Sequence, residues 1–451
     1  MRAPGQTDAG RPDVWATPTA VSAVAATVRL PGSKSMTNRA LILAAVADTP
    51  TTIVGPLQAR DTDLMTAAIV AMGATVDPRA TAGAAELPAW TVRPGEVSGR
   101  ALVDVGNAGT VLRFAPPVAG LTRADVEFSG DPRAAQRPVG ELLAGLRQAG
   151  VEIDDGGRGA VPFVVRGRGR VAGGAVSVDA SSSSQLVSGL LLAAPRFEAG
   201  LEMTHRGGRV PSAHHIAMTT AMLTAAGAEV ETGIVRGDGG QVPDFWRVRP
   251  GRLAPGTITI EPDLSNAAPF LASALVTGGQ VTIPGWPASS LQAAGQIMDV
   301  LGQMGARWEP SGTGMRIEGT GVIHGITADL RDINELAPVL TVLAALADSP
   351  SELTGIGHMR LHESDRLAAL AAEIGALGGQ VRELPDGLRI QPRPLHAGTD
   401  PFDTHDDHRL VMAAAVLGLA VPGLRISNPA TVAKTFPAFQ ALWQQMLGQA
   451  P

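Results

Sequence analysis

Six stretches of the chain are apolar almost without a break after their first turn. They begin at "KSMTNRALILAAVA", "NAGTVLRFAPPVAG", "SSQLVSGLLLAA", "DLSNAAPFLASALV", "INELAPVLTVLAAL" and "DDHRLVMAAAVLGLA". A helix that is apolar all round must be buried, so these six predict interior helices. Between them lie stretches with apolar residues on one face only, such as "DTDLMTAAIVAM" and "ESDRLAALAAEIGAL". These predict amphipathic outer helices. Short β-branched runs, among them "TTIVG", "VTIPG" and "LRISN", follow the interior helices and predict strands.

The pattern repeats. A helix, then a small residue or two, then a strand occurs at "AMGATV", "QAGVEI", "AAGAEV", "QMGARW" and "ALGGQV", and a last helix ends at "QMLGQAP". The glycines at these junctions, Gly73, Gly150, Gly227, Gly305, Gly378 and Gly448, lie about 75 residues apart, a spacing that signals internal duplication. Each suits a left-handed cap at a helix C-terminus. Length alone suggests about three domains. The repeat instead predicts six mixed α/β units, divided most simply into two groups of three.

Composition removes several function classes. The chain has no Cys, which excludes disulfides, thiolate metal sites and cysteine nucleophiles. A net charge of −6 and 3% aromatics give no reason to expect nucleic acid or a membrane surface as partner. The first twenty residues lack the apolar segment of a signal peptide, and residues 1–18 read as disordered. The apolar tract "LVMAAAVLGLAVPGL" is too short to cross a bilayer and contains Pro422. A cytoplasmic protein is expected. "GSKS" lacks the glycine spacing of a phosphate loop, and neither the His214–His215 nor the His405–His408 pair has the context of a zinc site. No metal and no cofactor is expected.

Polar residues collect at the N-terminal ends of the six interior helices. Ser183, Ser184, Asp263, Ser265, Asn266, Asn334, Asp406 and Asp407 are ordinary capping types. Lys34, Arg39, Arg113 and Arg409 are not, because a cation at a helix N-terminus opposes the helix dipole. The conflict disappears if an anion binds there, held by free N–H groups and cations together. Further cations come from "GDPRAAQRPVG" (Arg133, Arg137), "HMRLHESDRL" (Arg366) and "NPATVAKTFPAFQ" (Lys434). The pattern predicts a ligand with several negative charges, namely phosphates and carboxylates.

Taken together and in this order, "LPGSKSMTNRAL", "GNAGTVLR", "GDPRAAQRP", "SSQ", "HESDRL", "DDHR" and "KTFP" resemble the 5-enolpyruvylshikimate-3-phosphate synthases of the enolpyruvyl transferase family. The resemblance implies a two-domain inside-out α/β barrel of six βαβαββ repeats, three per domain. The buried helices would point their N-termini into the interdomain cleft. It divides the chain into residues 33–257 (shikimate 3-phosphate side) and a discontinuous domain of 1–32 plus 258–451 (phosphoenolpyruvate side). It also implies the reaction: a shikimate 3-phosphate hydroxyl adds to phosphoenolpyruvate and the adduct eliminates phosphate, a step toward aromatic amino acids. Both substrates carry a phosphate and a carboxylate. A monomer needing no cofactor is expected.

By this resemblance the catalytic residues are Lys34, Glu335 and Glu363. Shikimate 3-phosphate would be bound by Lys34, Ser35, Arg39, Ser183, Ser184, Gln185, Ser212, Glu335 and His362. Phosphoenolpyruvate would be bound by Lys34, Asn107, Gly109, Arg137, Gln185, Arg366, Arg409 and Lys434. His215 stands where many members have Tyr, His362 where many have Lys, Glu335 where many have Asp, and Phe114 where Pro is common. His362 would make phosphate binding pH-dependent near the ordinary histidine value of about 6.5. Two half-sites of like charge are expected to repel until substrates bridge them. Two alternatives have distinct marks. The enolpyruvyl transferase that acts on a UDP-amino sugar usually carries a loop cysteine, absent here. A non-catalytic polyanion-binding protein would have no use for Glu335 and Glu363.

Overall fold

The computed structural model describes residues 13–79, 87–234, 244–312 and 314–449. The interior helices are Lys34–Ala45 (α1), Gly109–Leu121 (α3), Ser184–Ala193 (α5), Leu264–Thr277 (α7), Ala337–Ala345 (α9) and His408–Gly418 (α11). They alternate along the chain with Arg60–Ala71 (α2), Gly140–Gln148 (α4), Ala213–Ala225 (α6), Ala294–Gln303 (α8), Arg366–Ala376 (α10) and Phe439–Met446 (α12). Every residue of α9 and α11 is buried, whereas α8 buries only Ile297, Met298, Val300 and Leu301. The uniform and one-sided apolar patterns thus sort the helices into inner and outer sets, as burial of apolar surface requires.

Strands complete each unit. Ser98–Asp104 pairs in parallel with Arg123–Ser129, with α3 as the crossover. Phe163–Arg166 then joins antiparallel to Arg123–Ser129, with Glu152–Asp154 outside it. Five four-stranded sheets repeat this order, a parallel pair followed by an antiparallel hairpin. A parallel pair needs a long crossover, and in the second, third and fifth units the interior helix supplies it. The six junction glycines all have positive φ, from 70° at Gly448 to 106° at Gly73. Each follows the C-cap of an outer helix and turns the chain where a side chain would be strained.

Two apolar cores form. One runs from Met36 to Ile260; the other combines Trp15, Val24 and Val28 with Leu264 through Met446. The chain therefore crosses twice, and the two crossings exchange strands. Ala25–Thr27 leads the sheet of the fourth unit by pairing with Gln280–Pro284, and Thr257–Thr259 leads the sheet of the first by pairing with Thr51–Val54. The crossing segments bond to each other: Ser33 N–H donates to the Glu261 carbonyl (2.8 Å) and Asp263 N–H to the Pro31 carbonyl (2.9 Å). A boundary at 257/258 would cut the strand Thr257–Thr259. Ile260 still packs in the first core, so the change of core falls between Ile260 and Leu264.

The sixth unit departs from the βαβαββ plan. Its sheet has two strands, Arg425–Ser427 and, antiparallel to it, Val14–Ala16, with Phe402 bridging alongside Ile426. The N-terminal segment takes the place of the missing hairpin. This corrects the expectation of disorder for residues 13–18, since Trp15 is buried edge-on to Phe439 in the second core. Residues 1–12 lie outside the described residues. Among the described residues no helix is long and apolar enough to cross a membrane.

Candidate active site

The starts of the interior helices converge where the two cores meet. Ser33, Ser183, Asp263 and Asp407 cap α1, α5, α7 and α11, each side chain accepting a backbone N–H of the first turn. Asp263 also ties two helix starts together, because its second oxygen accepts the Lys34 N–H at 3.0 Å. Asp365 caps α10. Its neighbours Glu363 and Arg366 are thereby free for other partners.

Two cavities open at this junction. The first is lined by Ser35, His214, His215, Asp332 and Arg409, among others. The second is lined by Gly109, Arg113, Arg137, Ser183, His362 and Glu363, among others. Lys34, Gln185 and Glu335 line both. The remaining predicted residues stand behind these walls. Arg366 donates to Asp407 (2.7 Å), Glu363 (3.0 Å) and Glu335 (3.4 Å). Lys434 reaches the Asn107 carbonyl (3.0 Å) and Glu363 (2.7 Å). Ser184 is buried in the first turn of α5, and the Ser212 hydroxyl accepts from Asn334 (2.5 Å).

Arg39 is not brought to either cavity. Its guanidinium is buried under α6, donating to Thr219 (2.7 Å), Ser188 (3.2 Å) and the carbonyls of Ser35 and His215 (3.0 Å each). It lies 5.1 Å from the Phe114 ring centroid. No carboxylate of the described residues pairs with it. Burial pushes it down to about 9, still charged at neutral pH. Its place at a helix N-terminus is therefore offset by neutral acceptors of α1, α5 and α6.

The cavity walls are not bare positive surfaces. Glu335 sits between Arg409 (3.2 Å) and Arg366 (3.4 Å). Burial alone would raise its carboxyl, but Arg409 and Arg366 outweigh burial and hold it well below the usual carboxylate range. Glu363 is held down in the same way by Lys434 (2.7 Å), Arg137 (3.5 Å) and Arg366. Lys34 pairs with Asp61 at 3.3 Å. Burial works against its charge, but Asp61, with Glu363 and Glu335 behind it, raises the ammonium above its ordinary value. Among the described residues Arg113 has no carboxylate in contact; it donates to Gln185 (3.0 Å) and the Pro138 carbonyl (3.0 Å), and burial pushes it down to about 9. Interleaved carboxylates thus replace the expected repulsion between the two walls. Contacts cross the junction on both sides, Arg133 to the His362 carbonyl (3.0 Å) and Arg209 to Asp332 (3.1 Å).

Sequence reasoning missed Asp61 and Asp332, considered His214 only as a metal ligand, and marked Arg113 as a helix-start cation without assigning it to a substrate. Asp61 lies in the first turn of α2, an ordinary place for an acidic residue. Nothing in its spacing pointed to Lys34. Chemically, the junction offers one ammonium and one carboxylate reachable from both cavities, with cations and N–H donors around them. That is a site for two anions held side by side, with acid–base groups between them.

The chain is similar to known proteins along nearly its whole length. The family model of EPSP synthase (3-phosphoshikimate 1-carboxyvinyltransferase) matches residues 18–443. Among solved structures, an EPSP synthase from Acinetobacter baumannii is similar in fold at 24% identity and TM-score 0.74, over 96% of this chain and 98% of that one. The enolpyruvyl transferase NikO from Streptomyces tendae is similar at 17% identity and TM-score 0.72, over 97% and 98%. With nearly its whole length matched, the chain belongs to the EPSP synthase family, the 3-phosphoshikimate 1-carboxyvinyltransferases.

Proposed function

We propose that the two cavities form one addition–elimination site in which shikimate 3-phosphate and phosphoenolpyruvate lie side by side. The observation that carries this is the sharing of Lys34, Gln185 and Glu335 by both cavities. The 5-hydroxyl of shikimate 3-phosphate adds to the enol carbon of phosphoenolpyruvate at that shared wall. Glu335 takes the hydroxyl proton, and the methylene carbon gains one to become a methyl group. The tetrahedral adduct then loses phosphate and a methyl proton, giving 5-enolpyruvylshikimate 3-phosphate. Lys34 steadies the charge that develops on both substrates.

Arg137, Arg366, Arg409 and Lys434 hold the phosphate and carboxylate of phosphoenolpyruvate, with Gly109 and Asn107 beside them. Ser35, Ser183, Ser184, Gln185, Ser212 and His362 serve shikimate 3-phosphate. Arg39, outside both cavities, donates to the Ser35 carbonyl and so steadies the start of α1 that presents Ser35 to this substrate. Glu363 is kept ionised by Lys434, Arg137 and Arg366. Once phosphoenolpyruvate shares those cations, the carboxyl pKa rises and Glu363 can carry the methylene proton. The protein works as a cytoplasmic monomer, one domain spanning residues 33–260 and the other 13–32 with 264–449.

The test is phosphate release from phosphoenolpyruvate by the purified protein. Release that depends on shikimate 3-phosphate is expected. No release by folded protein, or release driven by a UDP-amino sugar instead, overturns the proposal.

A further inference from the structure

His362 lines the second cavity, and its Nδ1 lies 3.2 Å from Arg366 Nη1. A guanidinium carries only N–H donors, so Nδ1 must be the unprotonated, accepting nitrogen. A flipped ring would turn a C–H toward the guanidinium and lose this bond. The ring's proton then belongs on Nε2, which makes no hydrogen bond to any described residue. The backbone is pinned as well, because the His362 carbonyl accepts from Arg133 Nε (3.1 Å) and Nη2 (3.0 Å) on the opposite side of the junction.

The charged groups facing the ring come from every neighbouring element. Arg366 is on α10, Glu363 follows His362 in the chain, and His358 meets it edge-on at 5.4 Å between ring centroids. Glu335 precedes α9, and Lys34, Arg113 and Arg137 line the same cavity. Cations outnumber carboxylates, and Arg366 is locked to Asp407 and cannot withdraw. Burial, helped by Arg366, pushes the imidazolium well below the ordinary histidine value, although Glu335 and Glu363 work the other way.

We propose that His362 is a specificity residue that Arg366 fixes as the neutral Nε2–H tautomer, so that it donates one hydrogen bond to a substrate phosphate oxygen without adding charge. The inference deepens, and rests on, the assignment of His362 to shikimate 3-phosphate. It reverses the expectation that His362 would switch phosphate binding near pH 6.5. A neutral donor serves the singly and doubly charged phosphate alike. Charge recognition is left to the arginines and Lys34.

Two measurements on the full chain test this. In long-range ¹H–¹⁵N spectra of ¹⁵N-histidine protein, with His362 assigned by its loss in His362→Gln, the Nε2–H pattern should persist unchanged from about pH 6 to 8, the span around the unperturbed value. An imidazolium or an Nδ1–H pattern in that range overturns the proposal. In kinetics, His362→Ala should raise KM for shikimate 3-phosphate about tenfold or more, as for a hydrogen bond to a charged group. His362→Gln, which keeps a neutral donor, should recover most of that loss. The ratio of the Gln variant's KM to the wild-type KM cancels titration of the substrate phosphate and should stay constant over the same range. A ratio that climbs as pH falls shows that His362 is gaining charge and overturns the inference, as does an Ala variant with wild-type KM. If the wild type releases no phosphate, the functional reading fails, while the spectra still decide the tautomer.

Discussion

Replacing Gly109 with alanine should weaken phosphoenolpyruvate binding without unfolding the protein. Gly109 is the first residue of α3 and its φ is not in the left-handed region, so alanine meets no backbone strain there. Its Cβ, however, would stand 2.5 Å from Arg137 Nη2 and 2.9 Å from Arg113 Nη1. An ordinary contact is about 3.5 Å, so the Arg137 guanidinium must retreat by about 1 Å. Arg137 Nη1 now donates to the Asn107 carbonyl at 2.8 Å and approaches Glu363 at 3.5 Å. A retreat of that size strains or breaks these bonds and misaims the fork intended for substrate. One charge-assisted hydrogen bond is worth about 1.5–3 kcal/mol, which predicts a rise in KM for phosphoenolpyruvate of about 10- to 150-fold. KM for shikimate 3-phosphate should move much less. Stability should change by about 1 kcal/mol or less, because the better helix propensity of alanine offsets part of the crowding. Steady-state kinetics on both substrates, with a thermal melt on the same preparation, is the assay. A Gly109→Ala enzyme with unchanged Tm and KM for phosphoenolpyruvate within twofold of wild type would refute this reading of Arg137.

Asp61→Asn removes the partner that offsets Lys34 burial; the ammonium pKa should fall and the alkaline limb of kcat move to lower pH, and an unmoved limb would show that Asp61 does not hold the charge. Gly32→Ala would bring a Cβ within 2.1 Å of the Gly55 carbonyl oxygen at the chain crossing. Overpacking against backbone should cost about 2 kcal/mol or more in urea unfolding, and wild-type stability would contradict it. His214 is pushed down to about 4 by burial, with His215 and His408 also well below 6.5. The unfolded chain binds these protons near pH 6.5 and the folded one does not, so stability is complete above that value and falls as pH drops toward 4. Tm at pH 7.5 and 5.0 measures this, and equal values would exclude the buried neutral imidazoles.

Charge pairing marks where local reading ended. A cation at a helix start was legible as a conflict with the dipole, and Lys34 and Arg409 do line the cavities. Arg39 carries the same local signature and points elsewhere, because Thr219, Ser188 and the His215 carbonyl are close enough to take it. A helix start records that a cation needs acceptors. It does not record whether those acceptors belong to a ligand or to a neighbouring helix.

The sequence alone determined the six interior helices, their amphipathic partners and the glycine turns, because apolar periodicity and left-handed caps are set within one or two helical turns. The motifs were enough for the family. The tertiary structure decided the exchange of strands Ala25–Thr27 and Thr257–Thr259, the use of Val14–Ala16 to finish the sixth unit, and the partner of each cation. The Lys34 backbone N–H meets Asp263 across 229 positions, the Arg133 guanidinium meets the His362 carbonyl across 229, and the Lys434 ammonium meets the Asn107 carbonyl across 327. Separations of that length leave no spacing pattern in the chain. Only the packing of the two cores brings such groups together.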